Sequence, residues 1–183
     1  MSPKDDVLAA YGPYENVRVL QLGTGKVLAP VPTSSEVKKV VFAQDGTRIA
    51  VVTRQDVIVW DVSQRRELLS LAHNEEVETA SFSNDGKFLA TGGASLARIF
   101  TLNGAEVARH NHGKPVQQIQ FILEGKYVAS VDADGARVWL WQPGDLVAEA
   151  CRRLDRKILP SQWPSNPDES VTRRIDSVCG ATR

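Results

Sequence analysis

The 183-residue chain sets 22 Lys and Arg against 22 Asp and Glu, for a formal charge of zero at pH 7. A basic surface of the kind that binds nucleic acid is therefore not indicated. No apolar run approaches the ~20 residues a membrane helix needs, and Met1–Asp6 is polar and acidic, without the basic start and apolar core of a signal peptide, so a cytoplasmic chain is expected.

From the N-terminus, Val7–Ala10, Val17–Leu20 and Lys26–Ala29 read as three short strands, with Ser2–Asp5 as a turn before them. Gly23-Thr24-Gly25-Lys26 joins the second and third. It lacks the spacing and the following helix of a phosphate-binding loop and is read as a strand-to-strand turn. Val37–Phe42 and Ile49–Thr53 are rich in β-branched residues, as strands are. Asp45-Gly46 between them is a hairpin signal, because glycine tolerates the positive φ of a tight turn. Val57–Trp60 and Glu67–Leu71 complete four strands.

The same pattern returns twice. Val37–Ala50, Val77–Ala90 and Val116–Ala129 align, and Phe42, Phe82 and Phe121 recur at near-equal intervals. Trp60, Phe100 and Trp139 keep that spacing. The turns recur as Asp85-Gly86 and Glu124-Gly125, the third strands as Ala97–Phe100 and Ala136–Trp139, and a fourth as Glu106–Arg109. One four-stranded sheet cannot bury both of its faces, so units of this kind stack on one another.

These residues resemble the WD-repeat family. Trp60-Asp61 matches its signature dipeptide, and His73 and His112 stand four residues before Val77 and Val116, where the family places a histidine. Phe82-Ser83-Asn84-Asp85-Gly86 is similar to its common turn. The resemblance covers roughly residues 2–141. It implies an all-β fold, a partial β-propeller of about four blades, with the first blade lacking its innermost strand and the last lacking its fourth. It also implies a buried tetrad of Trp, Ser or Thr, His and Asp in each blade. The third repeat carries the set as His112, Ser130, Asp134 and Trp139. The first keeps His73, Thr53 and Trp60, with Arg54 near the Asp position. By alignment His73 falls to the second, where Thr91 and Phe100 stand and Ala94 occupies the Asp position. A well-defined third blade and two degraded ones are expected.

Beyond residue 142 the character changes. Pro143-Gly144-Asp145 reads as a turn with Asp145 as N-cap. Leu146–Leu154 reads as a helix with Leu146, Val147, Ala150, Cys151 and Leu154 on one face. The expected organisation is propeller blades over 1–142, an amphipathic helix over 143–157 and an extended or disordered tail over 158–183. Trp139-Leu140-Trp141, Pro143, Asp145-Leu146, Ala150-Cys151 and Leu154 are similar to the ending of large bacterial WD-repeat signalling proteins of the STAND type, though Ser165–Arg183 departs from it. Cys151 and Cys179 lie far apart along the chain, without metal-ligand spacing, and are read as two reduced thiols.

No catalytic, cofactor or metal site is expected. His110 and His112 lack accompanying ligands. Ser130, His112 and Asp134 could be written as a triad, but the resemblance makes them interior. Arg152, Arg153, Arg156 and Lys157 are interleaved with Glu149 and Asp155 and are read as a solvated face. The functional reading is a non-catalytic scaffold or sensor for a protein or peptide, with self-association through open blade edges, and with neither nucleic acid nor membrane as partner. The alternatives are the sensor remnant of a bacterial signalling NTPase and, last, a small hydrolase. In the family, recognition uses loops at the narrow face of the ring. Here those loops hold Arg54, Gln55, Asn74, Glu75, Ser95, Asn111 and Lys114.

Overall fold

A computed structural model describes residues 6–12, 16–33 and 35–154. The chain divides into two compact units, Met1–Trp139 and Leu140–Arg183.

The first unit is built from four antiparallel sheets in chain order. β1 (Val7–Ala10), β2 (Val17–Gln21) and β3 (Val27–Val31) form a three-stranded sheet. β4 (Val37–Phe42), β5 (Arg48–Thr53), β6 (Asp56–Asp61) and β7 (Arg66–Ala72) form a four-stranded one. β8 (Val77–Phe82), β9 (Phe88–Gly93), β10 (Leu96–Thr101) and β11 (Glu106–Asn111) repeat it. β12 (Gln118–Ile122), β13 (Tyr127–Asp132) and β14 (Gly135–Leu140) form the last, with three strands among the described residues. Every sheet is a meander, because connections this short can join only antiparallel neighbours.

Why the sheets stack is visible in β5. Successive side chains of a strand point to opposite faces, and here Ile49, Ala50, Val51 and Val52 are all fully buried. Ile49 and Val51 join Val7, Val17, Val19 and Val31 of the preceding sheet in one core. Ala50 and Val52 join Val77, Phe82, Leu89 and Phe100 of the following sheet in another. Each fully buried valine removes apolar surface worth ~1.5–3 kcal/mol. The middle sheets are thus apolar on both faces, which a free sheet in water cannot be.

The hairpin turns follow the expected chemistry in the first two full repeats. Gly46 and Gly86 adopt φ of 72° and 65°, and the Asp45 and Asp85 carboxylates accept the backbone N–H of Thr47 and Lys87 at 2.8 and 3.1 Å. The third turn differs. Leu123 and Glu124 themselves sit in the left-handed region, at φ 49° and 58° ahead of Gly125, since no Asp is present there to cap a tighter turn.

The second unit contains α1 (Pro143–Leu154). It begins at the expected Pro143, ahead of Leu146, where the apolar pattern opens. The Gln142 carbonyl accepts the Leu146 N–H at 3.0 Å, so Pro143 takes the first helical position, where its missing N–H costs nothing. Asp145 lies inside the first turn and is not the N-cap. Leu146 and Val147 on the apolar face are exposed. Arg152 and Arg153 both reach back to Glu149, at 2.7 and 2.8 Å, and their hydrogen bonds hold its carboxyl down to about 2. Cys151 is disulfide-bonded, which corrects the reading of a reduced thiol: a separation counted along the chain says nothing about distance in space. Cys179, Arg156, Lys157 and the expected tail over 158–183 lie outside the described residues, as does the expected turn at residues 2–5.

Candidate functional site

In each full repeat the second strand ends, the third begins, the fourth ends and the next repeat starts at one end of the sheet. The β5–β6, β7–β8, β9–β10, β11–β12 and β13–β14 connections therefore gather at one face of the first unit. Backbone hydrogen bonds lock them together. Val77 N–H donates to the Arg54 carbonyl at 2.9 Å, His73 N–H to Gln55 at 2.7 Å and His112 N–H to Ser95 at 2.8 Å. Arg54, Gln55, Asn74, Glu75, Asn111 and Lys114 stand on this face, mostly exposed, while Ser95 is half-buried.

The face carries an ionic network of mixed sign. Lys38 Nζ reaches Glu76 and Glu78, each at 2.6 Å, and Arg54 Nε lies 3.6 Å from the same Glu76 carboxylate. Lys114 Nζ pairs with Asp134 at 2.5 Å. Hydrogen bonding from Lys38 lowers the Glu76 pKa and so favours its charged carboxylate. Glu76 and Lys38 escaped the sequence reading, because their pairing is a contact between successive repeats rather than between near neighbours in the chain.

Beneath the loops lies a buried polar chain in the last sheet. Trp139 Nε1–H donates to Ser130 Oγ at 3.0 Å, and Ser130 Oγ lies 2.7 Å from His112 Nε2. His112 Nδ1 lies 2.8 Å from Asp132 Oδ2. A carboxylate only accepts, so Nδ1 carries the proton and Nε2 takes the Ser130 hydroxyl. Arg137 Nη1 closes the chain on Asp132 at 2.7 Å. The carboxylate of the set is therefore Asp132, not the expected Asp134. Asp134 lies in the exposed turn and is held by Lys114, whereas Asp132 ends β13 on the buried side. The hydrogen bond from His112 holds Asp132 below the usual carboxylate range. Ser130 is fully buried and already committed to Trp139 and His112. A substrate cannot reach it, so these residues do not make a hydrolase triad.

The strand registers show how the other repeats have diverged. β5, β9 and β13 align residue for residue, placing Val51, Thr91 and Ser130 in one column and Thr53, Gly93 and Asp132 in another. Thr53 is therefore not the hydroxyl of the first repeat, as the sequence alone suggested. It takes the carboxylate column, where its hydroxyl meets the Asp56 backbone. Val51 takes the hydroxyl column, and Trp60 Nε1 is buried without an acceptor among the described residues. In the second repeat His73 Nδ1 meets the Leu71 carbonyl at 3.1 Å and Nε2 meets Thr91 Oγ1 at 3.0 Å. Phe100 packs edge-on against the His73 ring and has no N–H to satisfy. Ala94 belongs to the turn, and Gly93 is the true counterpart of Asp132.

His110 stacks on Trp139 with ring centroids 5.2 Å apart. Burial, with the His112 ring and the Arg137 guanidinium nearby, keeps its pKa below the ordinary value. Among the described residues no group of three or more His, Cys, Asp or Glu could hold a metal ion, and no helix is long and apolar enough to cross a membrane.

Four-stranded meanders stacked along the chain, with a Trp, Ser, His and Asp joined in the last sheet, define blades of a WD-repeat propeller. The comparisons agree with that class. Residues 65–101 match the family described as WD domain, G-beta repeat. The chain is 34% identical over 103 residues to the human serine-threonine kinase receptor-associated protein, an alignment covering 52% of this chain and 29% of that protein. It is 26% identical over 171 residues to THO complex subunit 3 of Arabidopsis thaliana, covering 87% of this chain and 50% of the relative. It is 26% identical over 133 residues to pre-mRNA-processing factor 19 homolog 2 of the same plant, covering 70% and 25%. The chain thus spans under a third of the receptor-associated relative. All three are eukaryotic proteins. Together these matches support a WD-repeat family for the chain and the fold of a partial propeller.

Proposed function

We propose that the chain is a non-catalytic scaffold that binds a protein or peptide across the loop face formed by Arg54, Gln55, Asn74, Glu75, Ser95, Asn111 and Lys114. The observation that carries this reading is the locking of four connections from successive sheets into one surface by Val77 N–H to Arg54, Ala94 N–H to Glu76 and His112 N–H to Ser95. Such a surface is charged, exposed and pre-organised, so binding costs little ordering entropy. Two of the relatives are named for association with a receptor and for membership of a complex, which favours the same class of activity here.

The test replaces Arg54 and Lys114 together with alanine. If the loop face is the docking surface, affinity for a captured protein partner falls at least ~10-fold, as for exposed arginine anchors elsewhere, with an unchanged melting temperature. Unaltered capture sinks the reading.

Self-association is a second mode, favoured by the first and last sheets having three strands among the described residues beside two four-stranded ones, since unpaired strand edges recruit other chains. Absolute mass by light scattering decides it: a closed oligomer supports the mode and a monomer removes it.

A further inference from the structure

The second repeat keeps an arginine and has lost its carboxylate. Aligning β10 with β14 sets Arg98 in the column of Arg137 and Phe100 in that of Trp139. In the last sheet Arg137 is neutralised by Asp132 at 2.7 Å. In the second repeat Gly93 stands in the column of Asp132, and Arg98 Nε is buried without an acceptor among the described residues. A buried guanidinium N–H left unsatisfied is costly, and the cost is larger for a charged group than for a neutral one.

The chain cannot supply the missing acid at this position itself. A Cβ on Gly93 would overlap the Glu76 carbonyl oxygen and come within 2.7 Å of Val77 Cα. The end of β9 lies against the start of β8, where Ala94 N–H donates to Glu76 at 3.0 Å. Arg98 instead lines a small recess with His73, Glu75, Thr91, Gly93 and Leu96. The recess holds about 10 Å³, room for one oxygen atom. Glu76 also borders it, but its carboxylate is engaged by Lys38 at 2.6 Å and faced by Arg54 at 3.6 Å. The His73 ring does not compete as a donor, since its Nδ1–H is spent on the Leu71 carbonyl.

From this geometry we infer that the recess between the β7–β8 and β9–β10 connections is a carboxylate subsite, in which Arg98 receives one oxygen of an Asp, Glu or C-terminal carboxylate presented by the bound partner. The partner's acid then takes in trans the part that Asp132 plays in cis one blade on. The inference rests on the loop face being the docking surface, and it names an acidic anchor as what that surface selects. Glu75, on the rim, is the intramolecular competitor for Arg98.

The test uses acetate as the probe and the full chain, labelled with nitrogen-15. The Arg98 Nε–H resonance is assigned by its loss in Arg98→Lys, then followed through titrations with sodium acetate and with sodium chloride at matched ionic strength. A saturable downfield proton shift with acetate and none with chloride is expected. No shift, or the same shift with both salts, overturns the subsite. Should Arg98→Lys fail to fold, Glu75→Gln serves as the second variant. It removes the competing carboxylate and lowers the acetate Kd about twofold or more; weaker binding would place acetate elsewhere and overturn the assignment. Failure of acetate leaves the wider docking surface standing, because Arg54→Ala with Lys114→Ala tests that separately.

Discussion

Trp60 stands to Val51 as Trp139 stands to Ser130 in the last sheet: the pairs occupy equivalent columns of their strands, and Trp60 Nε1 is buried with no acceptor among the described residues. The same indole is satisfied in one blade and stranded in another. Restoring the acceptor is therefore a direct test of the register. A hydroxyl buried without a partner costs ~1–3 kcal/mol, so Val59→Thr, at an equally buried site, destabilises by about that amount. Val51→Thr introduces the same hydroxyl beside Trp60 and costs at least ~1 kcal/mol less. Urea denaturation of the two variants decides it, and equal losses would refute the alignment of the strands.

Ser130 and Thr91 occupy the same column but serve different numbers of partners. Ser130 joins Trp139 to His112, whereas Thr91 serves His73, whose ring packs on Phe100. Ser130→Ala strands two groups and should cost ~2–3 kcal/mol, against ~1 kcal/mol for Thr91→Val. The comparison is read from denaturation midpoints at constant m-value.

Gly93 is required by close approach and not by its turn. Gly93→Ala forces a methyl into the Glu76 carbonyl, backbone that cannot swing aside, and should destabilise by ~2–3 kcal/mol. Gly113, at φ 76° with open space around it, loses only the left-handed preference, ~1–2 kcal/mol. A melting temperature for Gly93→Ala at or above that of Gly113→Ala would contradict the packing.

Stability should fall on mild acidification. Burial, reinforced by Arg98, lowers the His73 pKa from its ordinary value of 6.5, and His110 is lowered in the same sense. Well above pH 6.5 both rings are neutral in either state. As the pH drops through 6.5 the unfolded chain takes up protons first, so stability declines until the folded-state pKa is passed. The fall in melting temperature between neutral and mildly acid buffer should be smaller in His73→Gln than in the parent. Asp132 acts in a separate window: its lowered pKa supports the fold above pH 3.8 and that support is lost at more acid values.

The acidic turns and the repeat period are local features, and local features are legible in a sequence. Hairpin chemistry at Asp45-Gly46 and Asp85-Gly86 needs only adjacent residues, and the β-branched runs of β4, β5 and β8 declare strands by composition. The partners of His112 were harder. Two aspartates, Asp132 and Asp134, stand two positions apart, and alternation along the strand gives them similar claims to one face. The tight turn after β13 decides between them, sending Asp134 to Lys114 at the surface and leaving Asp132 inside.

Periodicity and turn chemistry act over a few residues, and so the repeat was readable from the chain alone: four short strands per unit, a stacking architecture and a place for each Trp and His. Which hydroxyl, carboxylate and guanidinium meet was decided only when strands distant along the chain came together. Register fixes those contacts to within a few ångströms, and a small shift along β5 or β9 puts Val51 for Thr53 beside Trp60, or Gly93 for Ala94 beside Arg98. The disulfide at Cys151 and the open recess at Arg98 are of the same kind. Both depend on distances in space that the order of residues does not contain.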